Sequence, residues 1–288
     1  MSYSNEILSP SGIIGVLKEN DFSLKQRYGQ NLLVNAHIAS RIIETLRLRK
    51  ADTVLEIGPG LGALTFLIAE RVRKVFAYEV DRGFAKLLEK KRDQLGYGNI
   101  KVIAKDFLKA DLGRLKQSGS PTKVVSNFPY NIAVSSIIKC IEALDDVERI
   151  TGTVQEEIAQ RLAAKKGAKN YSAVSVYIQY MAEIVVPMRN ISPSNFFPKP
   201  EVYSAVIDVI PSRKTFPVKP DFFKRVVQCG FSARRKSLVN NLSSLENGLE
   251  RGRLRAVIRE IFNDDKVRAE NLSVADFITL CQKLTPIL

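Results

Sequence analysis

The sequence has one histidine, His37, and three cysteines that lie far apart, Cys140, Cys229 and Cys281. A single histidine excludes metal centres built on several imidazoles and mechanisms that need two of them. The cysteines are too few for a disulfide framework or a cysteine-based zinc site, and their scarcity indicates a reducing compartment. We therefore expect no bound metal.

Long apolar segments are also missing. No uninterrupted apolar run approaches the roughly 18–20 residues that cross a membrane. The first residues, MSYSNEILSPSG, lack the charged-then-apolar layout of a signal peptide. We therefore expect a cytoplasmic protein with no membrane partner.

Positive charge is what the chain has in excess. It carries 44 Lys and Arg against 30 Asp and Glu, a net charge of +14 with a pI near 9.7. This surplus suits a polyanionic partner, nucleic acid first and a membrane surface second. Residues 211–260 alone hold twelve basic against four acidic residues, a net +8, so the charge is concentrated in that part of the chain.

The length of 288 residues suggests two domains at about 150 residues each. A hydrophobic share of 45% and a charged share of 26% exclude a disordered or fibrous chain.

Short apolar runs alternate with amphipathic helical stretches between residues 50 and 155. Strands are predicted at 53–57, 75–80, 100–104, 123–126 and 150–154, with helices at 63–72 and 82–94. This alternation indicates right-handed crossovers and a parallel sheet covered by helices on both faces. We therefore predict a doubly wound α/β domain.

The pattern changes after this region. It predicts helices at 156–164 and 171–182, then strands at 183–186 and 202–210 around a proline-rich loop at 193–200. Only helices follow, at 222–231, 235–245, 254–262 and 274–284, with a boundary near 211–220. We predict an N-terminal extension at 1–25, an α/β domain at 26–212 and a small all-α domain at 213–288.

A glycine turn, Gly58–Gly62, follows the first strand and brings backbone close to a ligand at the strand ends. Glu79, at the end of the second strand, can accept hydrogen bonds from both ribose hydroxyls of a nucleoside. Asp106, after the third strand, can accept one from an adenine amino group. These features alone fit a nicotinamide dinucleotide or S-adenosylmethionine. The G-x-G-x-G spacing favours S-adenosylmethionine, and so does Pro59, which removes an N–H that a pyrophosphate would use.

The fourth strand ends in Asn127-Phe-Pro-Tyr130, a turn suited to activating an exocyclic amino group. The lone pair of that nitrogen is delocalised into the base, so the basicity of the amino group is not what makes it a nucleophile. The Asn127 side-chain oxygen and the Pro129 carbonyl can hold the amino hydrogens, while Tyr130 stacks on the base. A methyl donor is already activated, so positioning supplies most of the catalysis and no strong base is required.

Six segments together resemble the ribosomal RNA adenine dimethyltransferases, from about residue 27 to residue 284. They are Gly29–Leu33, Glu56–Gly60, Asn127–Tyr130, Phe196–Val206, Phe231–Lys236 and Arg268–Ser273. Within this family the chain looks like the bacterial small-subunit branch, that of the kasugamycin-sensitivity methyltransferases. The resemblance implies a Rossmann-like S-adenosylmethionine-dependent methyltransferase sheet with a small C-terminal all-α domain.

The implied activity is dimethylation of two adjacent adenines in the 3′-terminal hairpin of small-subunit ribosomal RNA, late in 30S biogenesis. The implied cofactor is S-adenosyl-L-methionine, and the implied partner is that RNA in a 30S precursor particle. We expect the protein to be a monomer.

The resemblance also assigns roles to individual residues. The cofactor-binding set it implies is Asn31, Leu33, Gly58, Gly60, Glu79, Asp106 and Asn127, with Asn31 and Leu33 on the methionine side. The set implied at the target base is Asn127, Pro129, Tyr130 and Phe196. Phe196 would sandwich the base against Tyr130. Because Phe197 stands where the family commonly has a small residue, which of the two phenylalanines stacks stays open.

Two basic groups are candidates for holding RNA phosphates. They are Arg234, Arg235 and Lys236, and Arg251, Arg253 and Arg255. The target adenine has to leave its stack, which costs least in a loop or single strand, and phosphate contacts make the affinity salt-dependent. For any one of these side chains, a solvated helical face is the alternative.

Three other functions share part of the pattern. A relative that methylates an adenine in large-subunit RNA and confers macrolide-type resistance has the same Asn-x-Pro-Tyr turn. The segments at 196–206 and 268–273 favour the small-subunit enzyme. A non-catalytic ribosome-assembly factor would not need the intact set of Glu79, Asn127, Pro129 and Tyr130. A nicotinamide-dependent dehydrogenase would need a proton relay near its glycine turn, and the sequence offers no candidate for one.

Overall fold

A computed structural model of the chain describes residues 3–25, 29–212, 215–245 and 250–285. The strands are β1 (Leu32–Leu33), β2 (Thr53–Ile57), β3 (Lys74–Glu79), β4 (Ile100–Ala104), β5 (Lys123–Asn127), β6 (Arg149–Gln155), β7 (Ala182–Ile191), β8 (Phe196–Phe197) and β9 (Ser204–Pro211). The α-helices are α1 (Tyr3–Ile7), α2 (Pro10–Glu19), α3 (Ala36–Leu46), α4 (Ala63–Ala69), α5 (Arg82–Leu95), α6 (Gly113–Gln117), α7 (Ala133–Ala143), α8 (Glu156–Leu162), α9 (Ala173–Met181), α10 (Pro220–Gly230), α11 (Leu238–Leu242), α12 (Arg251–Phe262) and α13 (Val274–Leu284).

The chain forms two compact units, one from residues 1–159 and 185–211 and the other from residues 160–184 and 212–288. A seven-stranded sheet in the order β4-β3-β2-β5-β6-β9-β7 organises the first unit. The strands β4, β3, β2, β5 and β6 run parallel to their neighbours, and β9 pairs with β6 antiparallel. The predicted doubly wound α/β fold is confirmed. Central strands such as β2 are buried along their whole length, which explains why they read as continuous apolar runs.

The N-terminal helices α1 and α2 are part of the core of this first unit. Ile7 and Ile13 are each 1% exposed, and they belong to the same apolar cluster as the side chains of α3, α4 and α5. Ser9 begins α2 by accepting a hydrogen bond from the Gly12 N–H. The sequence prediction set residues 1–25 apart as an extension, because no recognisable motif lies there. The structure integrates the two helices through their apolar side chains.

A short two-stranded ribbon joins β1 to β8. Its antiparallel register sets Leu32 opposite Phe197 and Leu33 opposite Phe196. Directly opposed residues of such a pair point to the same face, and successive residues point to opposite faces. Leu33 and Phe196 are buried, whereas their neighbours Leu32 and Phe197 are half-buried.

The second unit is helical and contains α9 to α13. Tyr180 on α9 stacks on Phe223 of α10 with ring centroids 3.8 Å apart, and Phe223 meets Phe277 of α13 edge to face. These contacts explain why residues 160–184 cluster with the helical unit, although the sequence prediction placed them in the α/β domain. Residues 213 and 214, within the predicted boundary, lie outside the described residues.

Candidate active site

The carboxyl ends of the parallel strands meet at one edge of the sheet and surround a cavity of about 230 Å³. Predicted site residues that line it are Asn31, Gly58, Gly60, Glu79, Asp106, Asn127 and Pro129. They come from four strand ends and from the segment before β1. This juxtaposition is what the order of strand-end residues in the sequence predicts.

The glycine turn after β2 needs glycine for two reasons. Gly58 and Gly60 have φ values of +67° and +56°, which residues with a side chain rarely adopt. A Cβ atom added to Gly60 would also lie 2.7 Å from Cδ2 of Leu32. The turn is therefore bare backbone that a ligand can approach closely.

Glu79 holds this turn in place. Its carboxylate accepts the Gly60 N–H at 3.0 Å and the Asp81 N–H at 2.8 Å. Burial raises the pKa of Glu79 to about 6, although these two backbone hydrogen bonds oppose the shift. At neutral pH the side chain is therefore a carboxylate with lone pairs left for further donors, such as ribose hydroxyls.

Asp106 follows β4 and lines the same cavity, next to Phe107. Its side chain accepts the Leu108 N–H at 2.9 Å and begins a short 3₁₀ turn. The Phe107 ring packs edge to face on Tyr78 and forms an apolar wall beside the carboxylate. An apolar wall with one acceptor suits a flat heterocycle that carries an amino group.

Asn127 is oriented from both ends of its amide. Its Nδ2 donates to the carbonyl of Asn31 at 2.5 Å, and its Oδ1 accepts the hydroxyl of Thr153 on β6. The backbone N–H of Phe128 donates to the Thr153 carbonyl at 3.1 Å, which fixes the turn to the neighbouring strand. Because an amide oxygen has two lone pairs, Oδ1 can still accept one more hydrogen from a ligand.

Pro129 and Tyr130, later in the same turn, are also held by hydrogen bonds. The Pro129 carbonyl accepts the Ile132 N–H at 3.0 Å, so one of its two lone pairs is in use. The Tyr130 hydroxyl lies 2.8 Å from Oγ of Ser204 on β9. Burial raises the pKa of Tyr130, so this side chain is a neutral phenol held at its polar end.

Three of the predicted site residues do not line the main cavity, and one of them is Tyr130, which follows the lining residue Pro129 in the turn. Leu33 and Phe196 do not line the main cavity, because both point to the core face of the β1–β8 ribbon. Leu32, one residue earlier, lines the cavity instead, and Phe197 lies on its face of the ribbon. A shift of one residue along a strand reverses the face, which a motif written as letters does not show.

The predicted RNA-binding residues differ in how they are engaged within the second unit. Arg234 donates to the Lys169 carbonyl at 2.7 Å and pairs with Glu270. Arg251 bonds to Asn240, and Arg255 pairs with Asp265. The side chains of Arg235, Lys236 and Arg253 are exposed and have no partner among the residues that the structure describes.

The sequence analysis missed Thr153, Ser204 and Glu56. Thr153 and Ser204 are fully buried hydroxyls that orient Asn127 and Tyr130. The available signal was their chemistry, a hydroxyl within a strand that is otherwise mostly apolar. Glu56 is a buried carboxyl just before the glycine turn, and a small second cavity is lined by Glu56 and Leu33.

Clusters of metal-binding side chains and membrane-spanning helices are both absent from the described residues. No group of three or more His, Cys, Asp or Glu side chains could hold a metal ion there. No helix in the described part of the chain is both long and apolar enough to span a bilayer.

Comparison with known proteins gives consistent matches. A family model described as ribosomal RNA adenine dimethylase matches residues 21–285. The chain is 35% identical over 287 residues to ribosomal RNA small subunit methyltransferase A of Bacillus thuringiensis. The aligned region covers 97% of each protein. The proteins of the same name from Bacillus cereus and Bacillus anthracis match to the same extent.

Two solved structures share the fold. A dimethyladenosine transferase from Plasmodium falciparum has a TM-score of 0.78 at 23% identity, over 88% of this chain and 98% of that one. The 23S rRNA methyltransferase ErmE has a TM-score of 0.64 at 26% identity, over the same shares of the two chains.

Proposed function

Because the chain belongs to the ribosomal RNA adenine dimethylase family, we propose that it dimethylates two adjacent adenines of small-subunit ribosomal RNA. The target amino groups lie in the 3′-terminal hairpin, and the reaction is a late step of 30S biogenesis. The observation that carries this proposal is the fixed amide of Asn127, which opens onto the cavity shared by Gly58, Glu79 and Asp106.

The cavity fits S-adenosylmethionine. Glu79 has free lone pairs for the ribose hydroxyls, and Asp106 beside Phe107 suits the adenine ring. Gly58 and Gly60 leave room for the cofactor to lie against backbone, and Asn31 lies next to Asn127. When bound, the cofactor supplies a methyl group that is already electrophilic.

The residues around Asn127 position the nucleophile. The Asn127 Oδ1 and the remaining lone pair of the Pro129 carbonyl accept the two hydrogens of the adenine amino group. This arrangement aims the nitrogen lone pair at the methyl group. Because the methyl donor is activated, orientation contributes most of the rate and no strong base is needed.

Tyr130 stacks on the extruded adenine, and Ser204 holds its hydroxyl. Phe196 was expected as the second aromatic, but it is 1% exposed. Phe197 lies on the opposite face of the ribbon and is half-buried, so we propose Phe197 as the second aromatic in this conformation.

The helical unit, with its concentrated positive charge, is proposed to hold the RNA backbone. Arg235, Lys236 and Arg253 are exposed and have no partner among the described residues, so their charged ends can bind phosphates, whereas Arg234 stabilises the unit itself. We propose that the enzyme acts as a monomer on a 30S precursor particle. We propose that the first unit, residues 1–159 and 185–211, carries out methyl transfer, and that the second unit, residues 160–184 and 212–288, binds RNA.

A second candidate function is methylation of an adenine in large-subunit RNA. It is favoured by the structural similarity to the 23S rRNA methyltransferase ErmE at 26% identity. The relatives named small subunit methyltransferase A are more similar, at 35% identity over 97% of the chain. The small-subunit reading is therefore the first choice.

The test is methyl transfer from labelled S-adenosylmethionine to purified 30S and 50S particles from an unmethylated strain. We expect dimethyladenosine at two sites of the small-subunit RNA. Asn127→Ala should lower turnover by about 100-fold or more, because it removes a group that orients the nucleophile. Label in 50S particles would instead support the large-subunit function. Tight 30S binding without label would indicate an assembly factor.

A further inference from the structure

A second, smaller cavity adjoins the main one. It measures about 30 Å³, and its walls include Glu56 and two apolar side chains of the N-terminal helices, Ile7 and Ile13. The residues that line both cavities are Leu32, Gly58 and Asn127. The two cavities therefore meet beside the proposed catalytic turn.

The carboxyl group of Glu56 is buried without adequate partners. The side chain is 2% exposed, and its Oε2 has no hydrogen-bond partner in the described part of the chain. Burial raises the pKa of Glu56 to about 8, opposed by the Thr65 hydroxyl and reinforced by the charge of Glu79. At neutral pH the group is therefore protonated in the free protein.

Among the described residues, no positively charged side chain lines the small cavity. Glu79 on β3 is the charged group that acts on Glu56, and Thr65 on α4 is neutral. The other residues of the small cavity, from α1, α2, β1, the glycine turn, α4 and β5, are apolar, glycine or Asn127. A buried carboxyl in such a place gains most from a cationic ligand.

The proposed function indicates which cation arrives, and this inference rests on that function. Glu79 and Asp106 hold the nucleoside end of the cofactor, and its sulfur must lie near Asn127 for the methyl group to reach the amino nitrogen. Only the amino-acid end is left to enter the small cavity. We propose that Glu56 binds the α-ammonium group of S-adenosylmethionine and gives up its carboxyl proton to solvent when the cofactor binds.

The charge balance of this step is simple. The Glu56 O–H bond breaks and its proton passes to bulk water, while the ammonium group of the cofactor keeps all of its protons. The product is a buried ion pair in place of a buried neutral acid. Binding is therefore linked to pH, and the cofactor binds more tightly as the pH rises toward the pKa of the free carboxyl.

The experiment is isothermal titration calorimetry at pH 7 in buffers of different ionisation enthalpy. S-adenosylmethionine should release about one proton per molecule bound, because the free carboxyl has a pKa of about 8. 5′-Methylthioadenosine, which has the adenine, ribose and thioether but no amino-acid part, should release only about 0.1 proton, the share of Glu79 with its pKa of about 6. Glu56→Gln should bind S-adenosylmethionine with the same small proton release.

The pH dependence gives a second readout. Between pH 6 and 7 the α-amino group of the cofactor is largely charged, and the wild-type affinity should rise about 15-fold to 20-fold, about ninefold from Glu56 and about twofold from Glu79. In Glu56→Gln the rise should shrink to about twofold, the part left by Glu79 with its pKa of about 6. Glu70→Gln, the same change at an exposed position on the first unit, should behave as wild type.

The outcomes separate this inference from the proposed function. If wild type binds S-adenosylmethionine with no more proton release and no more pH dependence than 5′-methylthioadenosine, the role of Glu56 is overturned and the methyltransferase function still stands. Failure of wild type to bind S-adenosylmethionine at all would overturn the proposed function. The comparison of the two ligands uses wild-type protein, so it does not depend on how Glu56→Gln folds.

Discussion

Asn127 owes its orientation to a hydroxyl on the neighbouring strand. Thr153 is fully buried and donates to Oδ1 of Asn127, while the Asn31 carbonyl accepts from Nδ2. The two contacts distinguish the oxygen end of the amide from the nitrogen end. An amide flipped by 180° would present hydrogens to the target amino group and repel it.

Thr153→Val tests this positioning role. We expect turnover to fall about fivefold to tenfold, the worth of one hydrogen bond, with little change in the KM for the cofactor. The matched control is Thr151→Val on the same strand, which removes a buried hydroxyl that donates to Asp208 at 2.8 Å, away from the cavity. Thr151→Val should keep normal turnover in the same methyl-transfer assay. Equal turnover losses in both variants would contradict the positioning role.

The buried carboxyl of Glu56 should also make the free energy of unfolding depend on pH. Its pKa is raised from 4.5 to about 8 by folding, so the folded state binds more protons than the unfolded state between these values. Stability must then decrease as the pH rises through this window. Without cofactor, Glu56→Gln should raise the free energy of unfolding at pH 8, on the order of 2–4 kcal/mol.

Urea denaturation at pH 5 and pH 8 measures this effect. The gain from Glu56→Gln should be small at pH 5, where the carboxyl is protonated in the folded protein, and Glu70→Gln should show no such difference between the two pH values. A gain of equal size at both pH values would mean that packing, not ionisation, is responsible.

The individual residues show which parts of the candidate site the sequence can predict. Strand-end residues such as Glu79, Asp106 and Asn127 could be predicted, because parallel strands bring their carboxyl ends together. Thr153 could not, because its role depends on which strand pairs with β5 and in what register. The position of Leu33 was not predicted for a related reason. Successive residues of β1 point to opposite faces, so Leu32 points to the cavity and Leu33 to the core.

At the scale of elements, the N-terminal helices are the clearest difference between expectation and structure. The central strands could be predicted from continuous apolar runs, and α13 has the predicted bounds, 274–284. Helices α1 and α2 have apolar side chains at helical spacing, but the sequence does not show which surface they cover. That surface is the core cluster beside the small cavity.

Two adjacent isoleucines of α2 test the integration of this helix. Ile13 is 1% exposed and Ile14 is 38% exposed. Ile13→Ala should lower the free energy of unfolding by about 2–4 kcal/mol, because it leaves a cavity in the core. Ile14→Ala should cost less than about 0.5 kcal/mol. Urea denaturation of both variants measures these losses. An equally small loss of unfolding free energy in both would mean that α2 is not part of the core.

At the scale of the whole molecule, a net charge of +14 makes binding to RNA strongly dependent on salt. The contribution of a single arginine depends on what already holds it. Arg235 is exposed with no partner among the described residues, whereas Arg234 is engaged by Lys169 and Glu270. A sequence alone makes the two neighbours look equivalent.

Arg235→Ala should weaken binding to small-subunit RNA and reduce the slope of log Kd against log salt concentration by about 0.7–0.9. Arg234→Ala should also lower the thermal stability of the protein, because it removes internal hydrogen bonds. Arg41→Ala, an exposed arginine on α3, serves as the charge-matched control. Filter binding over a range of salt concentrations measures the slopes. An unchanged slope for Arg235→Ala would exclude a phosphate contact.

The β1–β8 ribbon has a consequence for how the protein is made. It is reinforced by a hydrogen bond from Asn35 to Asn195, two residues that are 160 positions apart in sequence. Leu32, a wall of the main cavity, is therefore fixed only after the chain has been synthesised beyond Phe197. Contacts between residues that are so far apart in sequence form late in folding. A ribosome-bound nascent chain that stops before β8 should acquire its central parallel strands but bind no cofactor, so the enzyme becomes competent only near the end of its own translation.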